Sequence, residues 1–130
     1  MRKAPLERIR VSQRSRDTLV TLKRRTGIEH WNVLCRWAFL DSLANPNKPT
    51  PARNLSESNL EMHWDVFAGD LADYLLAALA FRASKDGVKP TKIEMAEYFR
   101  SHLERGILQL QSAGNLSELC KRAIHSARKA

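Results

Sequence analysis

A chain of 130 residues, 43% apolar and 28% charged, has the length and composition of one globular domain with a single core. Its two cysteines, Cys35 and Cys120, show neither CxxC nor Cys/His spacing, which excludes a disulfide scaffold and points to reduced thiols. The formal net charge of +8 lies in residues 1–53, with 12 Lys/Arg against 4 Asp/Glu, while residues 54–130 carry 10 of each.

The start, "MRKAPLERIRVS", is charged and lacks the apolar core of a secretory signal. Within it, "PLERIRVS" reads as a short strand, because Ile9 and Val11 alternate with Arg8 and Arg10. Ser12 is a good N-cap for a helix over Gln13–Thr26, whose narrow apolar stripe runs through Leu19 and Leu22, helped by Thr18 and Val20. Gly27 ends that helix, and Lys23, Arg24 and Arg25 fill its last turn, where cations suit the negative end of the helix dipole. The next helix, "EHWNVLCRWAFLDSLA", is apolar on nearly every side, so it is either buried all round or part of a subunit interface.

Asn45–Ser58 holds Pro46, Pro49 and Pro51 and reads as an extended linker. A third helix is expected from Ser58 or Asn59 through Ser84, with an apolar stripe of Trp64, Phe67, Leu71, Tyr74/Leu75, Ala78 and Phe81. "KDGVKP" breaks it. "TKIE" is a capping box with Thr91 as N-cap and Glu94 at the third helical position, and Ala96, Phe99, Leu103, Ile107 and Leu110 continue that helix to the stop at "SAGN". A short last helix, Leu116–Ala130, presents Leu116, Leu119/Cys120, Ala123 and Ile124. The expected fold is all-α: one domain over residues 1–130, a strand and about five helices. It divides into a basic strand–helix–helix part (1–44), a linker (45–58) and a helical part (59–130). No segment is apolar for long enough to cross a bilayer, Tyr74–Phe81 being the longest such run, and the expected location is the cytoplasm.

One-sided positive charge suggests a polyanion, with DNA or RNA ahead of membrane lipid. Strand, helix, glycine turn and buried helix follow in ribbon–helix–helix order, in which two chains pair their strands against DNA. The candidate phosphate contacts are Arg8 and Arg10 on the strand and Arg14, Arg16, Lys23, Arg24 and Arg25 on the first helix. Asp17 is the single acid in that helix, so its cations lack internal partners, and its N-terminal amides are a further anion site. Trp31, Leu34, Cys35, Trp37 and Phe39 are the candidate core and oligomer-interface residues.

The chemistry of a reactive site is thinner. Cys35, on an apolar helix, reads as packing rather than as a sulfur carrier, and Cys120 likewise. His30, His63, His102 and His125 fall on separate elements without ligand spacing. Glu61, His63, Asp65, Asp70 and Asp73 form an acidic stretch that a metal-dependent nuclease could use, yet they fit a solvated helix face better. The tryptophans Trp31, Trp37 and Trp64 could stack on frayed bases, but their apolar neighbours favour burial. No cofactor or metal is expected.

"LVTLKRRTGIEHWNVLCRWAFLDSL" (Leu19–Leu43), "SNLEMHWDVFAGD" (Ser58–Asp70) and "HLERG" (His102–Gly106) together closely resemble the DndE family. That resemblance covers essentially the whole chain. It implies a small accessory subunit of bacterial DNA phosphorothioation, which replaces a non-bridging phosphate oxygen with sulfur. It also implies work beside a cysteine desulfurase, an iron–sulfur sulfurtransferase-like protein and an ATPase. Further implications are a Met-repressor-like topology, a tetramer, and binding of double-stranded DNA with a preference for nicks. The expected function is therefore a non-catalytic, homo-oligomeric DNA-binding subunit. A metal-dependent nicking enzyme and a ribbon–helix–helix repressor are the alternatives.

Overall fold

The computed structural model describes residues 4–129, with side chains described for residues 4–125. Met1–Lys3 of the charged start and Ala130 of the last expected helix lie outside the described residues.

Strand β1 (Arg8–Ser12) runs directly into helix α1 (Gln13–Thr26), which turns at Gly27 into α2 (Trp31–Ala44). An extended stretch then leads to β2 (Glu57–His63), the short helix α3 (Trp64–Ala68), a 3-10 turn (Gly69–Leu71) and α4 (Ala72–Lys85). Helices α5 (Lys92–Leu110) and α6 (Leu116–Lys129) complete a mainly helical fold.

Local signals explain the first elements. The Ser12 hydroxyl accepts from the Ser15 amide at 3.1 Å and caps α1. Gly27 takes φ 76° and its N–H donates to the Lys23 carbonyl, the left-handed stop that only glycine enters without cost. Thr91 caps α5 by accepting from the Glu94 amide at 3.2 Å.

The expected long third helix is not formed as one element. Its first part is β2, which pairs antiparallel with β1 in the register Arg8 with His63, Ile9 with Met62, and Arg10 with Glu61. The partner of β1 thus comes from its own chain. An irregularity between Arg10 and Ser12 is held by Ser58, whose hydroxyl donates to the Val11 carbonyl at 2.7 Å. Ser58, Leu60 and Met62 face inward while Asn59 and Glu61 face outward, a two-residue alternation that a helix cannot use. The linker expected to extend to Ser58 accordingly ends where β2 begins, at Glu57.

The stripe expected on the later part is also rotated. The residues of α4 that reach the core are Leu75, Leu79 and Ala83, whereas Tyr74 is 75% and Phe81 64% exposed. On α1, Val20 points outward as well.

The core gathers Leu19, Leu22, Leu34, Phe39, Phe67, Phe99, Leu103 and Ile107, all fully buried. Phe39, Phe67 and Phe99 meet pairwise at ring-centroid distances of 5.0–5.9 Å. The central helix is α5, which buries residues around its whole circumference, including the polar Ser101, His102 and Glu104. It crosses α2 at Gly106, where an added Cβ would lie 1.8 Å from the Ala38 carbonyl oxygen, so no larger residue fits there. Helix α2, by contrast, keeps one flank open: Leu40 is exposed and Trp31, Val33 and Trp37 are half-buried.

Candidate nucleic-acid interface

Helix α1 is laid on the core by one narrow face, formed by Ser15, Leu19, Leu22 and Thr26. At about 100° per residue, its cations cannot share a single row. Arg14 and Arg25 fall on one flank, Arg16 and Lys23 on the other, and Arg24 on the crest between them. Asp17, which accepts from the Gln13 amide group at 2.9 Å, is the acid beside them. Among the described residues no carboxylate forms an ion pair with any of these cations. The Lys23 ammonium sits 4.7 Å over the Trp31 ring, and Arg25 donates to the Gln111 carbonyl at 3.3 Å. Both contacts leave most of the charge uncompensated.

The strand arginines are placed differently. Arg8 and Arg10 lie side by side on the outer face of the two-stranded sheet, and both donate to the carboxylate of Glu61 on β2. Arg10 also donates to the Ser58 carbonyl at 2.9 Å. One acid shared by two arginines leaves a single net charge there, against four on α1.

The N-terminus of α1 is not open to a phosphate. Glu104, reaching up from α5, accepts from the Ser12 amide at 2.9 Å, from the Ser12 hydroxyl at 2.6 Å and from the Ser15 hydroxyl. All three residues are buried, so the expected anion site is filled by the protein's own carboxylate. Glu104 carried no warning in the sequence beyond its acid type inside an apolar repeat.

A second, partly buried polar cluster closes the C-terminal end of α2. Arg82 donates to the carbonyls of Leu43, Asn45 and Asn47. Arg105 donates to the Ser42 hydroxyl, the Ser42 carbonyl and the Asn47 carbonyl. These two guanidiniums satisfy the carbonyls that a helix end leaves without partners. His102 lies among them, its Nδ1 2.8 Å from the Ser42 hydroxyl and its Nε2 without a partner. Burial, then the nearby Arg105 and Arg82 charges, push its pKa down from 6.5 to about 4, so the ring is neutral. Tyr98, stacked edge-to-face on His102, is pushed up by burial and by its hydrogen bond to Asp86.

Of the remaining candidates, Leu34, Cys35 and Phe39 are buried in the chain's own core, while Trp31 and Trp37 are only half-buried. Trp64 is buried against Phe67 and Phe99. Burial, followed by the nearby Glu104 charge, pushes the Cys35 thiol up to about 12, so it is neither reachable nor ionised. Cys120, expected in packing, is exposed. Glu61 belongs to a strand and Asp65 to the start of α3, where it lies 3.5 Å from His63, so the two are not neighbours on one helix face. Among the described residues no group of three His, Cys, Asp or Glu side chains is placed to hold a metal ion.

The fold and this surface define a mainly helical domain with a short two-stranded antiparallel sheet and one strongly cationic, exposed helix. Residues 8–118 match the family described as DNA sulphur modification protein DndE, and the chain belongs to the DndE family. Its fold is similar to the crystal structure of DndE from Escherichia coli B7A, a protein described as involved in DNA phosphorothioation modification. The likeness has a TM-score of 0.66 at 22% identity and covers 83% of this chain and 99% of that one. No curated protein sequence matches the chain.

Proposed function

We propose that this chain is a non-catalytic subunit of a DNA phosphorothioation system that holds double-stranded DNA, including nicked duplex, through phosphate contacts. It acts as a homo-oligomer, a tetramer, beside the other proteins of that system. The observation that carries the reading is the set of α1 cations, Arg14, Arg16, Lys23, Arg24 and Arg25, exposed or half-exposed without acidic partners among the described residues. Family membership supplies the system. Arg8 and Arg10 stand at the edge of the contact, their charge half cancelled by Glu61. Arginine forks and a lysine point charge with no base-reading array suit backbone contact, which is indifferent to sequence.

The test is fluorescence anisotropy with an intact duplex and with the same duplex carrying one nick, across roughly 50–200 mM salt. Arg14→Gln with Arg24→Gln should weaken binding to both duplexes and lower the slope of log affinity against log salt by about two. An unchanged affinity and slope would remove α1 from the interface.

A further inference from the structure

The outer face of α4 has an unexpected composition for a surface helix. Its exposed residues Tyr74, Ala77 and Phe81 follow one another at helical spacing opposite the buried Leu75, Leu79 and Ala83. The small Ala77 and the half-buried Ala78 sit midway between the two rings. Exposed Asp70 lies one turn before Tyr74, and exposed Lys85 one turn after Phe81, where its ammonium rests 5.3 Å over the ring. The order along the stripe is therefore acid, aromatic, alanines, aromatic, base.

That order is its own complement when reversed. Two such helices laid antiparallel, with the two-fold axis passing between Ala77 and Ala78, would set Tyr74 of each against Phe81 of the other. The same register sets Asp70 against the opposing Lys85, and small residues at the crossing let the backbones approach. Isologous contacts of a two-fold dimer require this kind of self-complementarity. Asp70, in the 3-10 turn that leads into α4, and Lys85, at its end, each lie four residues outside the aromatic pair.

We propose that α4 is a subunit contact, and that its partner is α4 of a second copy of this chain, packed antiparallel. The contact shares with the proposed function the premise of self-association but not that of DNA binding. It also moves the interface away from α2, where Leu34, Cys35 and Phe39 are already consumed by the core. The competing apolar face is the groove of about 490 Å³ lined by Val33, Trp37, Leu40, Leu71 and Leu119. Its charged rim is Arg36 and Asp41, and Asp41 is already paired with Arg122.

Sedimentation velocity on the full chain tests the proposal. Tyr74→Ser with Phe81→Ser should raise the dissociation constant of the contact about 100-fold, as loss of two central aromatic anchors does, with the far-UV spectrum unchanged. A charge swap gives an independent reading. Asp70→Lys and Lys85→Asp should each weaken association, and the double swap should restore it, which a merely structural effect would not do. Ala78→Cys in a Cys120→Ser background should form a disulfide-linked dimer on mild oxidation, because Cys35 is buried. A wild-type chain that sediments as a monomer overturns both this contact and the homo-oligomer of the proposed function. Association that persists in the Tyr74/Phe81 variant, with no rescue by the charge swap, overturns the α4 contact alone. DNA binding measured on the same samples reports on α1 separately.

Discussion

Arginine does opposite work on α1 and at the C-terminal end of α2. At the C-terminal end of α2, Arg82 and Arg105 are turned inward and make six hydrogen bonds to Leu43, Asn45, Asn47 and Ser42. On α1, Arg14 and Arg24 are turned outward and meet no acid among the described residues. The residue type is the same; what differs is whether unpartnered acceptors converge on it. Around Arg105 the fold has gathered a helix end and a chain bend, both rich in free carbonyls. Around Arg14 and Arg24 it has gathered no acceptor among the described residues, so their charge remains available to a ligand. A cation count along the sequence cannot distinguish the two cases.

The comparison is broken most severely from the buried side. Arg105→Ala removes three hydrogen bonds at the end of α2, although the Ser42 carbonyl keeps the Asn45 amide, the Asn47 carbonyl keeps Arg82 and the Ser42 hydroxyl keeps His102. A hydrogen bond contributes about 1 kcal/mol net, so the loss expected from three of them is about 3 kcal/mol, seen as a lower urea midpoint. DNA affinity of the folded variant should be unchanged. An Arg105→Ala chain as stable as wild type would show that water replaces the guanidinium there.

Acid sharpens the same contrast. His102 sits against Arg105 and Arg82, with Asp86 as the opposing charge, and its folded pKa is depressed from 6.5 to about 4. The unfolded chain therefore takes up the proton first as pH falls. Stability from the neutral ring is intact above about pH 6.5 and is lost progressively down to about pH 4, with a maximum near 3 kcal/mol. His102→Gln should flatten that part of the stability profile while lowering the neutral-pH plateau. An acid limb that is identical in wild type and variant would assign the loss to other groups.

How much of this was legible depended on the range of the interactions. The cap at Ser12, the stop at Gly27 and the Thr91 cap of α5 are decided by residues within four positions, and each stands where local chemistry puts it. Strand β2 depends on a partner that precedes it by the length of α1, α2 and the linker, and the apolar content of "NLEMHW" masked its two-residue alternation. On α4, two aromatic rings outweighed the alternative stripe of Leu75, Leu79 and Ala83. Hydrophobicity alone does not say which of two apolar faces the core will accept. The basic helix itself was legible because exposed cations need no distant partner. The pairing of Arg8 and Arg10 with Glu61 was not, since it exists only once β2 lies beside β1.

The smallest expected effects lie within the exposed cations, and they separate Arg8 and Arg10 from α1. Arg8→Gln with Arg10→Gln removes the same formal charge as Arg14→Gln with Arg24→Gln, so a purely global electrostatic attraction would weaken DNA binding equally in both. Neither pair should change stability by more than about 1 kcal/mol, because exposed ion pairs and solvated arginines contribute little. The strand variant also releases Glu61, whose carboxylate is then unpaired and repels phosphate. Its affinity should therefore fall at low salt, but its salt slope should change by less than one, since few counterions are released where Glu61 already neutralises the site. The α1 variant should lose about two in slope. Equal slopes for the two variants would show that phosphates displace Glu61 from both arginines, extending the DNA footprint from α1 across the β1–β2 sheet.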